Sequence, residues 1–165
     1  MALKKEVEAI LNEQLQKEFD AGVVYQALHI YFEQELFKGL AAWFKRQAAD
    51  EQAHAAKIIG YMLDRGAAPV IPATKAPKMT YASTLDAMKA ALAHEHANTA
   101  GIHASLKVAV KADDPATVEM LQWFVKEQVE EEQWATEYVQ MVQKIQGSVG
   151  GMYAFDHAVG KRAQA

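Results

Sequence analysis

Apolar residues recur at spacings of three and four along most of this chain, the period of a helix with one buried face. Four long stretches carry the pattern. The first spans about residues 4–34 and the second about 39–65, where Gly66 supplies a C-terminal stop. The third opens at Ser83 or Thr84, either of which can cap it, and runs to about 111. Asp113-Asp114-Pro115 then makes a turn with proline at a natural first helical position. A fourth helix follows to about 146, is broken by Gly147, Gly150 and Gly151, and gives way to a short fifth helix over about 152–162. Between the second and third helices lies AAPVIPATKAPKMTYAS, which holds three of the four prolines and cannot be helical.

Loop lengths turn this list into an architecture. Helices one and two are tightly joined and pair antiparallel, as do three and four. The proline-rich segment is longer than ordinary loops and needs a reason. Running the length of the molecule gives it one. The expectation is an all-α fold, a four-helix bundle with one long crossover and a short fifth C-terminal helix, in a single domain covering 1–165 with the bundle over about 4–146.

The pattern has a conspicuous interruption at "DEQAH", residues 50–54. Glu51 stands seven residues from both Phe44 and Ile58, which places it about 20° from each on a helix. It therefore lies on the stripe that should be buried, with His54 on the same side. Glu18 aligns likewise with Leu11 and Tyr25, Glu95 with Met88 and Ile102, Gln128 with Leu121, and Glu131 with Phe124 and Tyr138. Every long helix thus carries a ligand-capable side chain in mid-span on its core face.

Spacing adds an independent argument. Glu18 precedes Glu51 by 33 residues, and Glu95 precedes Gln128 by 33. His54 follows Glu51 by three, and Glu131 follows Gln128 by three. The two halves repeat one constellation, Glu…Glu-x-x-His and Glu…Gln-x-x-Glu. Buried unpaired carboxylates are very costly, and the escapes are protonation, a salt bridge or a metal. Lysine and arginine are missing from these stripes near mid-span. Several carboxylates with one imidazole suit two divalent first-row metals, with Glu51 placed to bridge them. A Glu from each of two helices plus Glu-x-x-His from the others is the general pattern of di-iron bundles. Here the second Glu-x-x-His is degenerate.

Composition narrows the chemistry. There are no cysteines among the 165 residues, which excludes disulfides, zinc ribbons and cysteine-ligated iron. A net charge of −4 gives no reason to expect nucleic acid. The N-terminal MALKKEVEAIL lacks a secretory apolar region, and no segment is apolar enough to span a membrane. The expectation is a cytoplasmic protein.

The segments "LNEQLQKEF", "DEQAHAAKI", "LAHEHANTA" and above all "LQWFVKEQVEEE" resemble the prokaryotic non-haem ferritins over nearly the whole chain. The resemblance implies the ferritin-like fold and an intra-subunit di-iron ferroxidase centre. Glu18, Glu51 and His54 match its first iron site; Glu51, Glu95 and Glu131 match its second, with Gln128 nearby. Tyr25 and Trp123 match the aromatic residues beside the centre. Asp50, Glu127, Glu130 and Glu131 match a third iron site, in which the family usually has glutamate at the position of Asp50. Gln52 stands where haem-binding relatives carry a methionine ligand, so haem is not expected.

The implied function is iron storage and detoxification. Fe(II) is oxidised by O2 or H2O2 and kept as ferric oxo-hydroxide inside a homo-oligomer of 24 subunits, with a reductase or ferredoxin as a possible partner for release. The alternative is a di-iron peroxidase or oxidase of the same fold that stores nothing. The fifth helix, with His157, is expected at four-fold axes. Asp113, Asp114 and Glu119 are candidates for drawing Fe(II) into three-fold pores, with capping and solvation as the alternatives. His94, His96, His29 and His103 are expected to be peripheral.

Overall fold

The computed structural model describes residues 2–164. Among these residues the chain forms five helices and no strand: α1 (Lys5–Gln34), α2 (Lys38–Asp64), α3 (Thr84–Lys111), α4 (Pro115–Ile145) and α5 (Val149–Gln164). α1 packs along α2, α3 along α4, and α1 against α3, while α5 rests mainly on α2. The all-α bundle with a long crossover is as the pattern predicts.

The caps are those the sequence offers. Ser83 Oγ accepts from Asp86 N at 3.1 Å, and Asp114 Oδ1 accepts from Thr117 N at 3.2 Å ahead of Pro115. Such caps satisfy N–H groups that the first helical turn leaves open. Gly66 and Gly147 take φ values of +69° and +86°, conformations that end α2 and α4 and that side chains resist.

α5 begins earlier than the glycine pattern suggests. Gly150 and Gly151 lie inside its first turn rather than breaking the chain. First-turn residues have no intrahelical N–H bond to lose. Ser148 Oγ also accepts from Gly151 N at 3.1 Å, which caps the helix. Gly147 alone makes the reversal. α5 is then seated by Asp156, whose Oδ1 accepts from Leu40 N at 2.8 Å near the start of α2.

The crossover is held by one stripe of α1. Val70 N donates to Asn12 Oδ1 at 2.9 Å, Gln16 Nε2 donates to Ala73 O at 3.0 Å, and Lys75 N donates to Asp20 Oδ1 at 3.1 Å. Asn12, Gln16 and Asp20 are four residues apart, so they face the same way. They supply the extended segment with partners that a helix would have provided internally.

The core comes in two parts. One gathers Tyr25, Leu28, Phe32, Phe44, Met88 and Tyr138, and the other Leu11, Leu15, Ile58, Met62, Leu121 and Phe124. On each long helix the polar residues singled out above fall between these two groups. A polar layer therefore divides the core at mid-span.

Candidate metal centre

Five ionisable side chains are buried in that layer: Glu18, Glu51, His54, Glu95 and Glu131, each at most 8% exposed. Glu18, Glu51 and His54 offer ligand atoms that all lie within 4.8 Å of one another. His54 Nδ1 is 3.2 Å from Glu51 Oε2 and 3.5 Å from Glu18 Oε2. His54, Glu127 and Glu131 form a second group within the same distance. His54 is common to both and joins them.

Glu95 reaches the layer from α3. Its Oε2 accepts from Gln128 Nε2 at 3.2 Å, and Gln128 Nε2 also reaches Thr99 Oγ1 at 3.0 Å. Glu131 Oε2 accepts from Gln47 Nε2 at 2.8 Å and from the Trp134 indole. Each of these carboxylates is thus held by a donor that does not titrate in the ordinary range. Glu18 Oε2 and Glu95 Oε1 are buried with no hydrogen-bond partner. Orphaned buried oxygens are rare in folded proteins, and divalent cations held in the layer would satisfy them.

The electrostatics agree. Burial pushes Glu51 well above the ordinary carboxylate range and raises Glu131. Burial, with the Glu131 charge added, raises Glu95 to about 8. Burial acts on Glu18 too, but its close polar contacts with His54, Glu51 and Gln14 outweigh it and hold Glu18 below its ordinary value. Burial alone would lower His54, yet bonding to Glu18 and Glu51 raises it to about 10. Without a metal the layer therefore retains protons, as an imidazolium paired with a carboxylate and as neutral acids. A divalent cation would replace those protons.

The layer opens on the α2/α4 face into a cavity of about 350 Å³, lined by Asp50, Glu127, Glu130, His54, Trp123 and Trp134 among others. Trp123 stands edge-on to His54 at 5.4 Å between ring centroids. Asp50 leans toward Arg46, with Nε to Oδ2 at 3.8 Å, and Glu130 is exposed. The four residues expected to form a third cation site thus line one mouth. Glu127 and Glu131 approach His54 most closely.

The family model for the ferritin-like domain matches residues 8–145. The chain belongs to the ferritin family. It is 33% identical over 161 residues to a bacterial non-heme ferritin of Staphylococcus epidermidis, covering 98% of this chain and 97% of that one. A bacterial non-heme ferritin of Staphylococcus aureus is 32% identical over 160 residues, covering 97% and 96%. Among solved structures, an open pore ferritin from the hyperthermophilic archaeon Archaeoglobus fulgidus superposes with a TM-score of 0.94 at 28% identity, covering 96% of this chain and 98% of that one. These likenesses support iron storage by a ferritin-like protein and iron as the metal.

In this ferritin the remaining expected residues divide by surroundings. Tyr25 is fully buried, its hydroxyl unpartnered, with Phe44, His94 and Trp134 rings around it at 5.7, 5.8 and 6.3 Å. His94 is less peripheral than a helical wheel suggests: its Nε2 is buried, and burial lowers its pKa. His29 Nδ1 bonds Ala41 O at 2.9 Å, while His96, His103 and His157 are exposed. Asp114 is engaged elsewhere. It pairs with both terminal nitrogens of Arg65 at 3.1 and 3.0 Å and caps α4, so capping is its role in this fold. Asp113 and Glu119 are exposed. Among the described residues, no helix is long and apolar enough to cross a membrane.

Several neutral polar residues of the layer do not stand out in the sequence as Gln128 does. Gln14, Gln47, Asn98, Thr99 and Trp134 all touch the polar layer. Gln14 and Gln47 are themselves 33 residues apart, so the repeat that links the carboxylates also marks them.

Proposed function

We propose that this ferritin is a ferroxidase and iron-storage subunit, with Glu18, Glu51 and His54 holding one Fe(II) and Glu51, Glu95 and Glu131 a second. The observation that carries this reading is the buried layer itself. Among the described residues, four carboxylates and one imidazole from four helices gather in it, two of the carboxylate oxygens lack a hydrogen-bond partner, and the ion pairs of Glu18 and Glu51 are with His54 rather than with a lysine or arginine. Two irons held together can each give one electron to one oxidant, O2 or H2O2. Hard carboxylate ligands favour Fe(III) over Fe(II) and so pull the reaction forward. Glu51 bridges the pair. Gln128 aims Glu95, and Gln47 with Trp134 aims Glu131. Tyr25 and Trp123 flank the pair as the aromatic neighbours of the reaction.

The mouth on the α2/α4 face gives the reading its direction. Asp50, Glu127 and Glu130 form a third iron site there and lead the product out of the buried layer. Storage then needs a shell, which one 18.2 kDa chain cannot enclose. The shell proposed is a cytoplasmic homo-oligomer of 24 subunits, with α5 meeting its copies at four-fold axes. A reductase or ferredoxin would supply electrons for release.

Two experiments test this. Stopped-flow oxidation of Fe(II) should lose its fast phase in the double variant Glu51→Ala, His54→Ala; a wild-type rate would sink the centre. Iron loading tests storage. Hundreds of irons per assembly are expected, whereas saturation at two or three per subunit would mean a di-iron oxidase or peroxidase that stores nothing.

A further inference from the structure

A second amide pair lies on the opposite side of the polar layer, between α1 and α3. Gln14 and Asn98 are 1% and 2% exposed. Gln14 stands one turn before Glu18, and Asn98 one turn after Glu95. Gln14 Nε2 donates to Glu18 Oε1 and to Asn98 Oδ1, both at 2.6 Å. Asn98 Oδ1 thereby takes the second N–H of the Gln14 amide, while Gln14 Oε1 and Asn98 Nδ2 are buried with no hydrogen-bond partner. With its NH2 toward Glu18 the Gln14 amide attracts the carboxylate; turned over, its carbonyl would repel it.

The 33-residue repeat shows what is particular here. Gln14 and Asn98 recur as Gln47 and Glu131, so an asparagine stands on α3 where α4 has a carboxylate. Gly101 likewise stands where α4 has Trp134. A Cβ on Gly101 would lie 2.5 Å from Gln14 Oε1 and 2.6 Å from Lys17 Cδ, so a side chain there would push the Gln14 amide aside. The result is asymmetric. The α2/α4 side of the layer is an acidic mouth, and on the α1/α3 side two buried amides stand between the carboxylates and a surface cavity of about 230 Å³ lined by Gln14 and Gly101.

We propose that Gln14, bonded to Asn98 and admitted by Gly101, is the positioning residue that makes Glu18 a one-oxygen ligand at the first metal position. The inference rests on the paired-metal reading above. Gln14 occupies Oε1 of Glu18 and leaves Oε2, which has no hydrogen-bond partner and faces His54 at 3.5 Å, for the cation. A carboxamide has no proton to lose, so this hold does not relax with pH. Partners of this kind usually set metal affinity by about 10- to 100-fold.

The test is an anaerobic Co(II) titration of the assembled protein, read by calorimetry and by the visible ligand-field absorption. Wild type should bind two Co(II) per chain in the buried layer. Gln14→Met, which keeps the length and removes the donor, should weaken one of the two steps at least tenfold and change its absorption, while the other step stays within twofold. Gly101→Ala should do the same by displacing Gln14, and it serves independently if Gln14→Met does not fold. Gly60→Ala, with nothing within 4 Å of the added carbon, should leave both steps as in wild type. Two unchanged steps in either folded Gln14→Met or Gly101→Ala would overturn this inference alone. Failure of wild type to bind two Co(II) would overturn the paired-metal reading and this one with it.

Discussion

Glu95→Gln sets the stability of the metal-free fold against the chemistry of its centre. Burial and the neighbouring Glu131 raise Glu95 from an ordinary 4.5 to about 8. A group raised in this way favours the folded state while it holds its proton. That contribution is complete below pH 4.5 and is lost as pH rises toward 8. At pH 7 the unfolded chain has ionised the carboxyl and the folded chain has not. The difference is about 2.5 pH units, or roughly 3 kcal/mol at about 1.4 kcal/mol per unit. Because Glu131 and Glu18 share in that electrostatic cost, about 1–3 kcal/mol is the working range. Glutamine stays neutral at every pH and can still accept from Gln128. Metal-free Glu95→Gln should therefore unfold several degrees above wild type at pH 7, at roughly 2–4 °C per kcal/mol for a chain of this length. Its advantage should grow from pH 5 to pH 8. Excess Co(II) should narrow or invert the gap, since binding stabilises wild type more than a chain that has lost one carboxylate ligand. Calorimetry in chelator at pH 5, 7 and 8, and again with Co(II), reads all of this. A variant no more stable than wild type at pH 7, or an advantage independent of pH, would refute the argument.

Other outcomes follow from the same structure. Metal binding at pH 7 should expel protons, because His54 titrates at about 10 and Glu95 at about 8 in the metal-free layer, so affinity should rise with pH between 6 and 8. Calorimetry in buffers of different ionisation enthalpy measures the release, and none at all would contradict these protonation states. Gly39→Ala should dislodge α5, since the new carbon would sit 1.8 Å from Asp156 O. A loss of about 1–3 kcal/mol is expected for such overpacking, read as a lower unfolding temperature with altered sedimentation of the assembly. Gly60→Ala, in the interior of α2 with open space around it, should instead gain about 0.5–1 kcal/mol. Asp50→Ala should weaken iron in the mouth and leave the fast oxidation phase intact; loss of that phase would move Asp50 into the pair.

Much of this was legible in the sequence because two periodicities coincide. The helical period placed Glu18, Glu51, Glu95, Gln128 and Glu131 on core stripes, and the 33-residue repeat placed them at one level. Helix ends were readable wherever a cap or a glycine had a single physical use, as at Ser83, Pro115 and Gly66. Gly150 and Gly151 misled because a glycine in a first helical turn has no hydrogen bond to break. The α1 stripe of Asn12, Gln16 and Asp20 reads as a solvated face, and only the path of the crossover shows that it is covered. Gln14, Gln47 and Asn98 escaped because amides carry no charge to flag them when buried. Asp114 reads in the sequence as a pore residue or a cap, and only the fold brings Arg65, 49 residues away, against it.

The paired-metal centre is tested most directly by anomalous diffraction at the iron edge, on crystals soaked anaerobically in Fe(II). Two peaks a few Å apart should appear in the buried layer, one against Glu18, Glu51 and His54 and the other against Glu51, Glu95 and Glu131. Iron confined to the mouth at Asp50, Glu127 and Glu130, with none in the layer, would contradict the account.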